Sequence, residues 1–243
     1  MLCLEDISWI APDGRTVLNG LNLEIPDGKL TVITGPNGSG KTTLARIIAG
    51  IENPTSGRIL LDGKDITGMD VTERARYGVS FAFQQPVRFK GITVRSLLET
   101  AAGGKQEDRK LCSILGDVGL CSKDYLDREV NATLSGGEIK RVEIATVLAR
   151  NSRLAVFDEP EAGIDLWSFK SLIGVFKRMH ESLNGTLVII SHQERILRIA
   201  DEIVLLADGA IKAQGESKKM MTQVLSSGSV KAACCREEAL FNE

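Results

Sequence analysis

The stretch GPNGSGKTT, residues 35–43, decides the fold of this chain. Its Gly-x-x-x-x-Gly-Lys-Thr spacing is that of a phosphate-binding loop. The apolar run LTVIT at 30–34 predicts a buried strand before the loop, and LARIIA at 44–49 predicts a helix after it. Because a glycine-rich turn at a helix N-terminus aims successive N–H groups at an anion, the sequence predicts a strand–loop–helix unit that binds phosphate.

Every residue of this loop is a candidate contact for a nucleotide. Lys41 would neutralise the terminal phosphates of a nucleoside triphosphate, and the Thr42 hydroxyl would bind Mg²⁺. The alternative is a glycine-rich turn that ends in Lys-Thr by chance, and the strand and helix on either side argue against it. The predicted phosphate-binding residues are Gly35, Pro36, Asn37, Gly38, Ser39, Gly40, Lys41, Thr42 and Thr43.

Three further motifs follow the loop along the chain. LSGGE at 134–138 leads into a segment with apolar residues at helical spacing, and LAVFDEP at 154–160 predicts a buried strand that ends in two carboxylates. LVIIS at 187–191 predicts another strand, which His192 follows. Together with the phosphate-binding loop, these motifs resemble those of the ATP-binding cassette (ABC) ATPases, and the resemblance covers about residues 2–215.

This resemblance implies an α/β fold made of one ABC ATPase domain, residues 1–243. A RecA-like nucleotide core with an antiparallel β-subdomain would take about residues 2–92 and 150–215. A helical subdomain would take about residues 93–149, and 216–243 would form a polar C-terminal tail. The cofactors implied are ATP and Mg²⁺.

The family pattern also implies a role for the residues at the ends of the strands. Asp158 would hold Mg²⁺ through water, with Thr42 and Gln84 as the other metal contacts. Glu159 would polarise the water that attacks the γ-phosphate, a step that depends mainly on positioning and charge stabilisation.

Two more residues complete the predicted catalytic set. Gln84 would sense the metal and the attacking water, although a shift of one residue in register would give this role to Gln85. His192 would contact the γ-phosphate. Glu159, His192 and Gln84 are therefore the predicted catalytic residues.

The LSGGE motif implies that one chain is not enough. In the family, Ser135 and Gly137 would cap the γ-phosphate held by a second subunit, where the helix N-terminus supplies partial positive charge. Residues 162–165 occupy the position of the D-loop, which contacts the opposite site. The resemblance therefore implies a homodimer that ATP assembles.

Within the family, three features resemble the SufC ATPases of the Suf iron–sulfur cluster assembly system. The signature ends in Glu138 where Gln is usual, and EAGIDLW at 161–167 replaces the common sequence there. The C-terminal domain of many importer ATPases is also expected to be absent. This resemblance implies a SufB-like scaffold partner, with or without a SufD-like one.

The scaffold would dock near residues 86–90, with Phe89 as its anchor if that ring is exposed and not part of the core. The alternative function is the nucleotide-binding subunit of an ABC membrane transporter. ABC proteins that act on nucleic acid or ribosomes fit poorly, because the chain has one cassette and a short helical insert.

Composition limits the location and partners of the chain. Its 243 residues carry a net charge of −2, which predicts no general affinity for nucleic acid. No apolar run approaches the ~18 residues that span a bilayer, and the N-terminus lacks the pattern of a signal peptide. The sequence therefore predicts a cytoplasmic chain with no direct membrane insertion.

The five cysteines fit reduced thiols more than a disulfide framework. Cys3, Cys112 and Cys121 are predicted to be small core residues. The pair at 234–235 is either an exposed tail pair without a role or part of a soft-metal site shared with another chain. Of the two histidines, His180 is predicted to lie on the surface.

The aromatic residue that stacks on adenine in the family should fall near Ala11. Trp9 comes two residues earlier and is predicted to face the core. Apolar contacts such as Val17 would then hold the base, which leaves selectivity for ATP over GTP open.

Overall fold

The computed structural model describes residues 1–85, 87–131, 133–164, 166–182 and 185–226. Its strands are β1 (Leu2–Ile10), β2 (Thr16–Ile25), β3 (Leu30–Thr34), β4 (Ser56–Leu61), β5 (Lys64–Asp65), β6 (Val79–Ala82), β7 (Leu154–Asp158), β8 (Thr186–Ile190), β9 (Glu202–Ala207) and β10 (Ala210–Glu216). Its helices are α1 (Lys41–Ala49), α2 (Val71–Tyr77), α3 (Val94–Ala101), α4 (Asp108–Asp117), α5 (Ser122–Tyr125), α6 (Gly136–Arg150), α7 (Leu166–Ser182), α8 (Glu194–Leu197) and α9 (Ser217–Ser226).

A six-stranded sheet with the order β10-β9-β3-β8-β7-β6 carries the predicted nucleotide motifs. Strands β9, β3, β8, β7 and β6 pair in parallel, and β10 pairs antiparallel with β9. Every residue of β3, β7 and β8 is buried, as expected for parallel strands covered on both faces. The phosphate-binding loop, Asp158 and His192 therefore all lie at or just after the carboxyl ends of neighbouring strands, the edge where such sheets bind ligands.

A four-stranded antiparallel sheet, β2-β1-β4-β5, packs beside this one. The two sheets and α1 share one hydrophobic cluster, to which α1 contributes Leu44, Ile47 and Ile48. These three side chains are fully buried, and each contributes about 1.5–3 kcal/mol to stability by leaving water. This packing fixes α1 and, through it, the loop that precedes it.

Helices α3 to α6 supply much of a second cluster, which also covers the opposite face of the parallel sheet. Helix α6 packs on α3 and α4. Helix α7 reaches the sheet through Phe176, whose ring meets that of Phe157 edge-on with 5.1 Å between centroids. Within the described residues, no helix combines the length and apolarity needed to cross a bilayer.

Several side chains lie where the sequence did not predict them. Cys112 and Cys121 are exposed and Cys3 is half-buried, so the prediction of three core cysteines was wrong for at least the first two. His180, predicted to lie on the surface, is partly exposed, with 28% of its side chain accessible, and its Nε2 lies 3.1 Å from Asp201 Oδ2. Residues 234–235 lie outside the described part of the chain.

Candidate nucleotide site

The phosphate-binding loop requires glycine at two positions for steric reasons. Gly35 has a φ of +148°, and a Cβ there would lie 1.9 Å from the carbonyl oxygen of Leu206. Gly40 has a φ of +99°, and a Cβ there would lie 2.7 Å from Leu18 Cδ2. Other residues would therefore force the loop away from the sheet, and the glycines keep its backbone close to α1.

Lys41, the first residue of α1, lies under the loop. Its side chain is buried, and Nζ donates to the carbonyl oxygens of Gly35 (2.9 Å) and Pro36 (2.8 Å). Burial lowers the pKa of Lys41, and the carboxylates of Glu159 and Asp158 oppose this shift. The ammonium group is thus held at the mouth of an anion nest by partners that a phosphate can replace.

A buried hydroxyl in the same loop supports the fit to phosphate. Ser39 is 5% exposed, and its Oγ has no hydrogen-bond partner among the described residues. A buried donor without a partner costs free energy, which a phosphate oxygen would recover by accepting from it. The glycines, the Lys41 ammonium and this hydroxyl all fit a bound phosphate.

Thr42 and Asp158 are brought together from α1 and the end of β7. The Thr42 hydroxyl donates to Asp158 Oδ1 over 3.2 Å. Asp158 is 2% exposed, and burial raises its pKa, while the Thr42 hydrogen bond lowers it and Glu159 adds to the rise. A hydroxyl and a carboxylate oxygen are ligands that Mg²⁺ accepts, and Mg²⁺ sites commonly use one or two such groups together with phosphates and water.

Glu159 and Gln84 form the next pair. Gln84 Nε2 donates to Glu159 Oε2 over 2.5 Å, and both residues line the same cavity as Lys41 and Thr42. Glu159 has a φ of +43°, which is uncommon for a residue with a side chain and occurs often at functional sites. Gln85 lines a different cavity, beside Gly136 and Gly163, so this geometry brings Gln84 and not Gln85 to the carboxylate.

This cavity has a volume of about 810 Å³, and its other end lies in the hairpin of β1 and β2. Ala11, Arg15 and Val17 line that end, and so does Trp9. Trp9 also packs partly against the core, so the prediction that it faces the core describes only one side of the ring. The structure thus offers an aromatic face and a guanidinium where the sequence predicted only apolar contacts.

Asn37, Gly38 and Thr43 of the predicted loop also line this cavity, whereas His192, Ser135 and Gly137 do not. His192 lies two residues after the end of β8, and its Nδ1 is buried without a hydrogen-bond partner among the described residues. Ser135 is the N-cap of α6, where it forms a capping box with Glu138: the Glu138 N–H donates to Ser135 Oγ, and the Ser135 N–H donates to Glu138 Oε2. Gly137 lies in the first turn of α6. Of the D-loop, residues 162–164 are described and Asp165 is not.

Two charged residues of α6, which the sequence pattern did not single out, hold the start of the Q-loop, the segment of residues 83–90 that contains Gln84. Lys140 is 1% exposed and donates to the carbonyl oxygen of Phe83, and the Phe83 N–H donates to Glu143 Oε1 over 2.8 Å. The Lys140 Nζ lies 2.9 Å from Glu143 Oε2. Burial raises the pKa of Glu143, and Lys140 opposes the rise. The backbone of Phe83, directly before Gln84, is therefore fixed to α6, the signature helix that begins in the LSGGE motif.

Comparison with known proteins identifies the class to which this fold and site belong. A sequence model of the ABC transporter family matches residues 18–162. The chain belongs to this family and is an ABC ATPase. It is 38% identical, over 90% of both chains, to an uncharacterized ABC transporter ATP-binding protein of Methanocaldococcus jannaschii. It is also 34% identical to the sulfate/thiosulfate import ATP-binding protein CysA of Synechocystis, over 84% of this chain and 58% of CysA. The chain thus spans less than two thirds of the length of that CysA relative.

Solved structures confirm the predicted fold class. A dimeric ATP-binding cassette in a post-hydrolysis state, bound to ADP and phosphate, superimposes with a TM-score of 0.79 at 25% identity and covers 89% of this chain and 99% of its own. The ADP conformation of a second ABC transporter cassette gives a TM-score of 0.80 at 29% identity, over 96% and 97% of the two chains. The ABC ATPase cassette fold is therefore shown along nearly the whole chain.

Proposed function

We propose that this chain is the Mg²⁺-dependent ATP-hydrolysing subunit of an ABC transporter and that it works as an ATP-bridged pair of chains. One observation carries the ATPase part of this proposal: the phosphate-binding loop, the Thr42–Asp158 pair and the Gln84–Glu159 pair meet in one place. Anion donors, metal ligands and a positioned carboxylate are the parts that phosphoryl transfer to water needs.

Each part has a distinct task in the proposed reaction. Lys41 and the loop N–H groups bind the β- and γ-phosphates, and Thr42 and Asp158 hold Mg²⁺. When bound, Mg²⁺ neutralises charge that develops on the phosphate oxygens. Glu159 orients the attacking water and takes its proton, and the Gln84 amide holds that carboxylate in place.

The position of the signature residues supports the proposal of two chains. Ser135 and Gly137 begin α6, and neither lines the cavity that holds the phosphate-binding loop of the same chain. The N–H donors at the N-terminus of α6 are suited to bind an anion that another chain holds. A second copy would supply it, and the related cassette bound to ADP and phosphate is described as a dimer.

An apolar groove beside the Q-loop is the proposed docking surface for the partner. It is formed by residues of β6, the Q-loop, the helices α3 and α6 and the loop before α6, namely Phe81, Phe83, Val87, Phe89, Leu97, Val130, Ile139, Val142, Glu143 and Thr146. Phe83 and Val87 are 39% and 47% exposed, whereas Phe89 packs partly into the core. The proposed anchors are therefore Phe83 and Val87 in place of Phe89.

The names of the relatives favour a membrane permease as the partner. The relatives described above are an ABC transporter ATP-binding protein and sulfate/thiosulfate import ATP-binding proteins, so transport is the better supported function. Sulfate is not proposed as the cargo, because this chain spans only part of the CysA relatives.

A soluble Fe–S scaffold, SufB-like with or without a SufD-like partner, is the second candidate. The observation in its favour is the structural role of Glu138, the residue by which the signature resembles SufC. Its carboxylate accepts from the Tyr125 hydroxyl and lies 3.7 Å from Arg128, and the Tyr125 hydrogen bond is the main cause of its lowered pKa. Glu138 thus has specific contacts with Tyr125, Arg128 and the backbone of Ser135, and these contacts favour a defined role for Glu at this position of the LSGGE motif.

An assay of ATP hydrolysis tests the enzymatic part of the proposed function. Mg²⁺-dependent ATP hydrolysis should fall at least about a hundredfold in Glu159→Gln, because a general base commonly contributes that much. The matched control is Glu107→Gln, an exposed carboxylate in front of α4, which should hydrolyse ATP like the wild type. Equal activity of Glu159→Gln and the control would refute the site assignment.

The partner is tested by affinity purification from solubilised membranes and from the soluble extract, with identification by mass spectrometry. A multi-span permease in the membrane fraction supports the transporter proposal, and a soluble scaffold without a permease supports the second candidate. Phe83→Ala with Val87→Ala should lose the partner, whereas Ile10→Ala, an equally exposed apolar residue outside the groove, should keep it. Equal recovery by both variants would refute the groove as the docking surface.

A further inference from the structure

Glu161 is a buried acid that the proposed reaction does not use. It lies two residues after Glu159, in the turn that leaves the end of β7, and is 9% exposed. The Ala162 N–H donates to the Glu159 carbonyl oxygen over 3.0 Å, and the Ile164 N–H donates to the Glu161 carbonyl oxygen over 3.1 Å. The backbone of Glu161 therefore belongs to the compact turn that connects Glu159 with the D-loop.

The side chain of Glu161 reaches across to the segment that follows β8 and contains His192. The Ser191 hydroxyl donates to Glu161 Oε1 over 2.5 Å, and Ser191 is fully buried. The same hydroxyl oxygen accepts the N–H of Gln193 over 3.0 Å. The residues on both sides of His192 are thus tied to one carboxylate.

We propose that Glu161 is a positioning residue for ATP hydrolysis: through the Ser191 hydroxyl it fixes the backbone turn that presents His192, and it links this turn to Glu159. The inference rests on the role proposed above for Glu159 and on the contact with the γ-phosphate that the family resemblance implies for His192. It assigns no contact between Glu161 and the nucleotide.

Two buried polar atoms near this turn have no hydrogen-bond partner in the described part of the chain, which agrees with contacts that form only when the nucleotide is bound. Glu161 Oε2 and His192 Nδ1 are both buried, and neither has a hydrogen-bond partner among the described residues. Buried polar atoms of this kind are costly and need an explanation. For the His192 ring, a turn that holds it toward an incoming phosphate would provide one.

The charge of Glu161 gives this role a measurable signature. Burial raises its pKa to about 7, opposed by the Ser191 hydrogen bond and by Lys140 of α6 and strengthened by Glu159. Ionisation strengthens the bond to Ser191, because hydrogen bonds to a charged acceptor are roughly twice as strong as neutral ones. The stronger bond holds the turn before His192 more firmly, so kcat should rise as pH increases through about 7.

Steady-state ATP hydrolysis of the full chain with Mg²⁺, measured between about pH 6 and pH 9, tests the inference. Glu161→Gln keeps an acceptor for Ser191 and should retain kcat within about threefold, but without the rise near pH 7. Glu161→Leu and Ser191→Ala should each lower kcat at least about tenfold with little change in KM for ATP. Their combination should be no worse than either alone, because both break the same link.

Several controls separate this inference from the proposed function. Ser191→Ala is the conservative variant if Glu161→Leu fails to fold, and Glu107→Gln should keep the wild-type pH profile. If Glu159→Gln retains full activity, the proposed function fails. If Glu159→Gln is inactive while Glu161→Leu and Ser191→Ala keep wild-type kcat, only the inference about Glu161 fails. Persistence of the pH-dependent rise in Glu161→Gln would also overturn it.

Discussion

At the scale of single residues, Lys41 is the charge on which we expect nucleotide affinity to depend most directly. Its buried ammonium donates to two carbonyl groups of its own loop. We predict that Lys41→Ala weakens ATP binding at least about tenfold, because charge-assisted hydrogen bonds to phosphate contribute roughly 1.5–3 kcal/mol. Titration calorimetry with ATP and Mg²⁺ measures this change. The control Lys105→Ala removes an exposed lysine and should bind normally, and equal affinities of the two variants would contradict the site.

The raised pKa of Glu161 predicts how stability depends on pH. An acid whose folded-state pKa lies near 7, above its ordinary value of 4.5, binds more protons in the folded state between these limits. Its contribution to stability is therefore present at low pH and is lost as pH rises toward 7 and above. Glu161→Gln should gain stability relative to the wild type across this range, by up to about 3 kcal/mol.

Chemical denaturation of wild type and Glu161→Gln at several pH values measures this gain. The same comparison for Glu107→Gln should show a difference that does not change between these pH values, because Glu107 is exposed. A constant difference for Glu161→Gln would show that Glu161 does not titrate near 7. If the gain is found, the acid costs stability at the pH where it supports activity, as is common at functional sites.

At the scale of elements, the C-terminus of α1 depends on a residue of α2. Arg74 is fully buried, and its guanidinium donates to the carbonyl oxygens of Ile47 (2.5 Å) and Ile48 (3.0 Å) in the last turn of α1. It also donates to the carbonyl oxygens of Met69 and Thr67. A cation at this end of α1 complements the helix dipole as well as the unpaired carbonyl groups.

We predict that Arg74→Met destabilises the protein by at least about 3 kcal/mol, because several buried carbonyl groups lose their donor at once. Arg74→Lys should recover only part of the loss, since an ammonium cannot reproduce the planar fork of five N–H groups. Urea unfolding measures both effects. Arg76→Met, on the exposed face of the same helix, should stay within about 0.5 kcal/mol of the wild type, and a similar loss there would contradict this interpretation.

The elements also show what the sequence could and could not predict. The strand, loop and helix around residues 30–49 were predicted correctly, because phosphate loops are encoded by adjacent residues. The contacts of Lys140 and Glu143 with Phe83 join residues about 60 positions apart, and those of Glu161 with Ser191 join residues 30 apart. In the sequence, charged residues such as Lys140, Glu143 and Glu161 cannot be distinguished from charged residues that are exposed to solvent. Their burial is set by the fold, so the sequence pattern alone gave no signal for them.

At the scale of the whole molecule, the residues around Phe83 connect the proposed docking groove with the proposed site of hydrolysis. Phe83 presents its ring to the docking groove, while its backbone is held by Lys140 and Glu143 of α6. Helix α6 begins with Ser135, and Gln84 follows Phe83 and binds Glu159. A partner that moves Phe83 would therefore disturb both the signature helix and the catalytic carboxylate. This arrangement suits a subunit whose ATP cycle drives another protein, whether permease or scaffold.

The two half-sites of each chain lead to a prediction about assembly. With ATP and Mg²⁺, Glu159→Gln should accumulate a dimer while the wild type stays largely monomeric, because hydrolysis normally separates the chains. Size-exclusion chromatography with light scattering measures this. Adding Lys41→Ala should abolish the dimer by removing ATP. Adding Gly137→Asp should also abolish the dimer, because the new negative charge would face the phosphates bound by the second chain. The substitution should not disrupt α6 itself, since an acid in the first turn of a helix is favourable. A Glu159→Gln chain that binds ATP and remains monomeric would refute the proposal of two chains.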